Sequence, residues 1–168
     1  MAVSWYRSEY TVNAIRMLLE AGVKTSIHYV LGRNSIDEAV TRLKGDDFPK
    51  GVNAVIFLLH KPAGQGTKAN VLDFHDPRVV AFFAEVDRRH PFKVGMDSCN
   101  VPGAIHYCRN ILPESLDTCE GGQYSCYTGA DMTMTLCSFD HDRRYLGGCP
   151  LMPEIIFRND DKRSIEGE

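Results

Sequence analysis

The chain has 168 residues, a formal net charge of −3 at neutral pH and 43% hydrophobic residues. This length allows one ordinary domain, or one domain with a small appendage. The slightly acidic balance lacks the basic footprint of nucleic-acid-binding proteins. No stretch approaches the roughly 20 apolar residues that span a bilayer, and the first residues lack the apolar segment of a secretory signal. We therefore expect a cytoplasmic protein that binds neither nucleic acid nor membrane.

The first predicted elements are a helix and a strand. Ser8 is placed to cap a helix that runs to Ala21, and the glycine that follows is the residue type that ends helices. Residues 25–31 are rich in β-branched and aromatic side chains, which predicts a strand. Ser35, with Glu38 three residues later, predicts a capping box at the start of a second helix.

Two further strands and a third helix follow. Residues 52–59 are almost continuously apolar, which is typical of a parallel strand covered on both faces. Asp76 and Pro77 predict the N-cap and the first turn of a helix, and residues 92–97 predict another short strand. Strands alternating with helices indicate βαβ units. We predict an α/β fold, namely a partial (βα) barrel of about three parallel strands, because a full barrel needs about 250 residues.

The cysteines are segregated along the chain. All six lie between Cys99 and Cys149, although cysteines used only as small core residues would be scattered through every buried element. We therefore divide the chain into a partial barrel, residues 1–98, and a cysteine-rich extension, residues 99–168. Disulfides, free structural thiols and metal or cluster ligation all remain open, and a reducing cytoplasm disfavours the first. Cys108 falls within a predicted helix, where we expect a core residue.

Four of the cysteines are spaced as cluster ligands. Cys119, Cys126 and Cys137 follow a C-x6-C-x10-C pattern, and Cys149 comes after eleven more residues. Iron–sulfur clusters need several converging thiolates, and glycine-rich loops let backbone N–H groups approach the sulfides. Glycine pairs adjoin the first and last of these cysteines. Structural zinc sites usually have tighter C-x2–4-C knuckles, so the spacing favours a cluster over zinc.

Three stretches carry a family resemblance: residues 52–62 (VNAVIFLLHKP), residues 97–99 (DSC) and residues 119–122 (CEGG). They resemble the C-terminal half of a radical S-adenosylmethionine (SAM) protein that carries a SPASM or twitch extension. The resemblance covers nearly the whole chain and implies a partial barrel followed by auxiliary [4Fe–4S] sites. Met132 stands where that family has glycine, and the ligands of a second auxiliary cluster are missing. One auxiliary cluster is therefore expected.

The resemblance also implies site residues. The metal ligands would be four cysteines with a fifth in reserve, namely Cys119, Cys126, Cys137 and Cys149, then Cys99. The loop after the most apolar strand would form a wall of the SAM or substrate pocket through His60, Lys61, Gly64 and Gly66. The alternative for this loop is a solvated turn whose glycines serve the backbone alone.

The C-x3-C-x2-C motif that holds the SAM-cleaving cluster in that family occurs nowhere in the chain. The expected function is therefore the C-terminal portion of a radical SAM enzyme, which does not cleave SAM alone. SAM and a peptide or small-molecule substrate would bind only in the complete enzyme, with a missing N-terminal half as partner. A fragment, a split subunit and an inactive remnant all remain open. The alternative is a zinc-binding or degenerate structural or interaction module without catalysis.

Overall fold

The computed structural model describes residues 1–6, 8–117, 119–121, 124–130 and 133–139. The chain divides into two compact units, residues 1–118 and residues 119–168. The division after residue 98, drawn from the cysteine distribution, stays a prediction.

The first unit alternates strands with helices from its first residues onward. Its strands and helices are, in chain order, β1 (Ala2–Ser4), α1 (Glu9–Glu20), β2 (Ser26–Leu31), α2 (Ile36–Gly45), β3 (Ala54–Leu59), α3 (Pro77–Val86), β4 (Lys93–Met96) and α4 (Val101–Tyr107). Short 3₁₀ turns lie at Lys68–Asn70 and Pro113–Ser115.

The four strands form one parallel sheet in the order β1-β2-β3-β4. Their register places Val3 beside Ile27, Ile27 beside Val55, and Phe57 beside Met96. The predicted α/β class with a parallel sheet is confirmed, whereas the expected number of three strands is wrong. The fourth strand is β1, whose three residues are too few to show a hydrophobic period. The partial barrel stays a prediction.

One face of the sheet carries the core of the first unit. Alternate residues of β2 and β3 are completely buried there, as strand geometry requires, and the helices contribute apolar side chains to the same cluster: Ile15, Ile27, Leu31, Leu43, Val55, Phe57, Val79, Phe82 and Phe83. Phe57 and Phe82 meet edge to face with ring centroids 4.9 Å apart. On the opposite face Val30 is exposed, and Ile56 and Leu58 are only half-buried.

Two of the predicted helix starts are confirmed. Ser8 precedes α1, and its Oγ accepts a hydrogen bond from the Thr11 backbone N–H at 3.3 Å. Asp76 precedes α3, and its Oδ1 accepts from the Arg78 N–H at 2.9 Å. Both contacts satisfy donors that have no partner within the helix.

The predicted capping box of α2 is wrong. Ser35 occupies the N-cap position but makes no side-chain cap bond. Its Oγ instead accepts from the Gly32 N–H at 2.9 Å and donates to the Val30 carbonyl at 2.8 Å. Glu38 accepts from Arg42 Nε at 2.8 Å. The turn that leaves β2 therefore engages Ser35, and a guanidinium one turn along engages the carboxylate.

The second unit contains a short antiparallel pair, β5 (Tyr127–Thr128) and β6 (Met134–Thr135). The Gly129 N–H donates to the Thr133 carbonyl at 2.8 Å and helps to close the connection. The prediction of two short strands around a turn is confirmed for these residues. Cys149 and Met132 lie outside the described residues.

Candidate functional site

The strongest polar cluster lies where β3 and β4 end side by side. Because the carboxyl ends of parallel strands meet at one edge of a sheet, the residues that follow them are brought together, and ligands of α/β proteins bind at this edge. Lys61 follows β3 and Asp97 follows β4. Lys61 Nζ lies 2.6 Å from Asp97 Oδ2, and the two side chains are only 18% and 19% exposed. This is a charge-assisted hydrogen bond largely removed from solvent.

Asp97 is held by three donors from three directions. Besides Lys61, its Oδ2 accepts from the Leu59 N–H at 3.1 Å, and its Oδ1 accepts from Asn100 Nδ2 at 2.8 Å. Asn100 Nδ2 also donates to the Phe57 carbonyl at 3.2 Å. Asn100 is 1% exposed, and within the described part of the chain its Oδ1 is the one buried side-chain oxygen or nitrogen without a hydrogen-bond partner. The carboxylate therefore ties the ends of β3 and β4 together.

The electrostatics keep Lys61 protonated. Burial alone lowers the pKa of Lys61, but the hydrogen bond and negative charge of Asp97, together with Cys99, raise it above the ordinary 10.5. Lys61 Nζ also donates to the Leu59 carbonyl at 3.1 Å. At neutral pH this side chain is thus a fixed cation that can orient or neutralise an anionic group. It is not poised to act as a general base.

The loop that carries Lys61 is a closed turn. His60 Nε2 donates to the Thr67 carbonyl at 3.0 Å, since a carbonyl can only accept. The Gly66 N–H donates to the Ala63 carbonyl at 2.9 Å, and a Cβ at Gly66 would overlap the Lys61 carbonyl oxygen. Gly64 has φ +59°, in the left-handed region. Both glycines, predicted as pocket residues, are thus required by the backbone of this loop.

Asn70 connects this loop to the end of β2, which the sequence did not reveal. Its carbonyl accepts from the Arg33 N–H at 3.0 Å, and its Oδ1 accepts from the Asn34 N–H at 2.8 Å. A Cβ at Gly32 would lie 2.7 Å from Asn70 Nδ2. No local motif marks this asparagine, and the one sequence signal was a glycine directly after an apolar strand.

In the second unit, two backbone features surround predicted thiolate ligands. Cys119 is exposed and Cys137 half-buried. The Phe139 N–H donates to Cys137 Sγ at 3.4 Å. A Cβ at Gly121 would lie 2.7 Å from the Leu136 carbonyl oxygen and 3.3 Å from Cys119 Sγ, so glycine allows the backbone to pass close to this sulfur. N–H groups near sulfur and close backbone approach suit thiolate ligands of clusters.

These thiols do not converge in the part of the chain that the structure describes. Among those residues no group of three or more His, Cys, Asp or Glu side chains is placed to hold a metal ion. Cys126 is exposed, and Cys149 lies outside the described residues. Cys99, the reserve ligand, is a half-buried free thiol of the first unit beside Lys61. The four-thiolate site therefore stays a prediction.

Cys108 differs from the other cysteines, as expected from the sequence. It follows α4 directly and packs against the hydrophobic core. Its Sγ lies 3.6 Å from the Phe83 carbonyl oxygen. Burial, with a smaller contribution from the negative charge of Asp87, raises the pKa of Cys108 to about 11. The prediction that Cys108 is a core residue is confirmed, and its thiol is unreactive at neutral pH.

Comparison with known proteins assigns no family. No family model matches the chain, and no curated protein and no solved structure matches it. In the described residues no helix has the length and apolar character to cross a membrane. The functional argument therefore depends on the residues and their geometry.

Proposed function

We propose that this chain is the C-terminal portion of a radical SAM enzyme, which binds one auxiliary [4Fe–4S] cluster and contributes to the substrate pocket. The observation that carries the proposal is the sequential order of four parallel strands, followed by a separate cysteine-bearing unit. In doubly wound sheets the strand order reverses at a switch point, whereas barrels add each strand beside its predecessor. Sequential order with right-handed crossovers places every helix on one face.

The pocket would lie at the carboxyl edge of this sheet. There Lys61 presents a cation whose position is fixed by Asp97, 2.6 Å away. The closed turn with His60, Gly64 and Gly66 would form the wall beside it. An anionic part of SAM or of a peptide or small-molecule substrate, in the complete enzyme, would be attracted to Lys61. The Asp97 carboxylate would keep that ammonium from moving.

The auxiliary cluster would be held by Cys119, Cys126, Cys137 and Cys149, with Cys99 in reserve. Such a cluster, when bound, supplies an electron-transfer group close to the substrate. The Phe139 N–H near Cys137 Sγ would tune its potential, and Gly121 would allow the backbone to pass close to Cys119.

The proposal requires a second polypeptide for SAM cleavage, because the chain has no C-x3-C-x2-C motif. The test is 5′-deoxyadenosine formation under reducing anaerobic conditions. We expect none from the chain alone. We expect formation when the chain is purified with a polypeptide that is encoded immediately upstream of Met1 and carries the motif. SAM cleavage by the chain alone, or absence of such a coding region, would contradict the proposal.

A second candidate function is a zinc-binding or degenerate structural module. The observation that favours it is that the described cysteines of the second unit do not converge on a common point. Stoichiometric zinc without iron in the purified chain would support the zinc module, and a folded chain without metal would support the degenerate one.

A further inference from the structure

The edge of the sheet at β1 presents unpaired backbone groups. The Met1 carbonyl accepts from the Ser26 N–H, and the Trp5 N–H donates to the His28 carbonyl, each at 2.8 Å. Residues of a strand alternate in the neighbour they bond, so the N–H and C=O groups of Ala2 and Ser4 point away from β2. Among the described residues no strand pairs with this edge, which is therefore a template for another strand.

The helix that follows β1 has an apolar flank. Tyr10 is 86% exposed and Met17 is 66% exposed. Steps of about 100° per residue place these two with half-buried Ala14 and Leu18 on one flank. The other flank, which lines grooves shared with the connection between α2 and β3, carries the charges of α1: Glu9, Arg16 and Glu20.

The regular packing of the first unit indicates what belongs on this flank. In the helix layer α2 packs against α3, and α3 packs against α4. With right-handed crossovers α1 lies between β1 and β2, so its side away from α2 lies towards the open edge of β1. One more βα unit would therefore pair with β1 and cover the apolar flank of α1 in a single step. A large exposed aromatic beside an unpaired strand edge is typical of an interface.

We propose that the β1 edge and the α1 flank (Tyr10, Ala14, Met17 and Leu18) form one docking surface for a βα unit of the polypeptide that carries the three-cysteine motif. The partner strand pairs in parallel with β1 through Ala2 and Ser4. The partner helix presents an uncharged flank, because the α1 flank contains no charged residue. This inference rests on the proposed function and specifies how the second polypeptide binds.

The test uses the full chain co-expressed with the polypeptide encoded immediately upstream of Met1. In the purified one-to-one complex, amide exchange at Ala2 and Ser4 should be at least about tenfold slower than in the chain alone. Tyr10→Glu and Met17→Glu should each weaken the complex by about tenfold or more, because a carboxylate would be buried without a partner. Arg16→Glu, on the other flank of the same helix, is the matched control and should leave the affinity within about twofold.

The outcomes separate this inference from the proposed function. If a complex forms and cleaves SAM, but the amides of Ala2 and Ser4 exchange freely and Tyr10→Glu binds normally, the docking surface is wrong and the proposed function survives. If the chain alone forms a dimer that protects these amides and Tyr10→Glu dissociates it, the occupant is a second copy and the proposal is overturned. If no upstream polypeptide carries the motif, both proposals are overturned. The exchange measurement needs no variant, so misfolding of a substitution leaves the test intact.

Discussion

Asp97→Asn is expected to destabilise the first unit by about 2–3 kcal/mol. The wild-type carboxylate accepts from Lys61, Leu59 and Asn100. An amide in its place turns one acceptor into a donor, so at least one of these contacts is lost. A hydrogen bond to a charged group contributes about 1.5–3 kcal/mol. Breaking a fully buried ion pair costs about 3–5 kcal/mol, an upper bound here because both side chains keep some contact with water.

The assay is urea unfolding followed by the fluorescence of Trp5. The chain has a single tryptophan, and it lies in the first unit, so its signal reports the unfolding of that unit. Asp37→Asn is the matched control, because Asp37 pairs with Arg78 at 3.0 Å but is 74% exposed. It should cost no more than about 0.5 kcal/mol. Equal free energies of unfolding for the two variants would refute a structural role of the Lys61–Asp97 pair.

Three further predictions concern the loop glycines, an acidic cap and the thiols. Gly66→Ala should destabilise the first unit by about 1–3 kcal/mol through overlap with backbone, and Gly64→Ala by only about 1 kcal/mol through its φ of +59°; equal urea midpoints would contradict this. The guanidinium two residues later lowers the pKa of Asp76 to about 2, so its contribution to stability is present above pH 3.8 and lost as the pH falls towards about 2. Asp76→Asn, which still caps, should lack that part of the acid loss in pH-dependent unfolding. Mass spectrometry of iodoacetamide-treated native protein at pH 8 should show Cys119 alkylated well before Cys108, and equal rates would be inconsistent with a pKa of about 11 for Cys108.

Features of the fold that depend on local chemistry were predictable from the sequence. The caps at Ser8 and Asp76 involve residues two or three positions away, and the apolar run that became β3 needs no partner to be recognised. β1 was missed because three residues carry no period, and its place is set by pairing with β2. The capping box at Ser35 failed because the turn after β2 engaged the same hydroxyl.

The candidate site was predictable in its parts and not in its connections. Lys61 was identified from its place after an apolar strand, and Asp97 from its place before Cys99. Their contact joins residues 36 positions apart, so neither neighbourhood reveals it. Asn70 and Asn100 were missed for the same reason, since an asparagine in a loop has many local uses. The cysteine spacing shows which thiols are available, but convergence is a property of the tertiary structure.

The most direct test of the proposed function is the iron and sulfide content of the chain after anaerobic reconstitution. The account predicts about four irons and four sulfides per chain, as one [4Fe–4S] cluster requires. Iron should fall on alanine substitution of Cys119, Cys126, Cys137 or Cys149, whereas Cys108→Ala, at a core thiol with a raised pKa, should retain it. Stoichiometric zinc without iron, or a folded chain that binds no metal, would contradict the account.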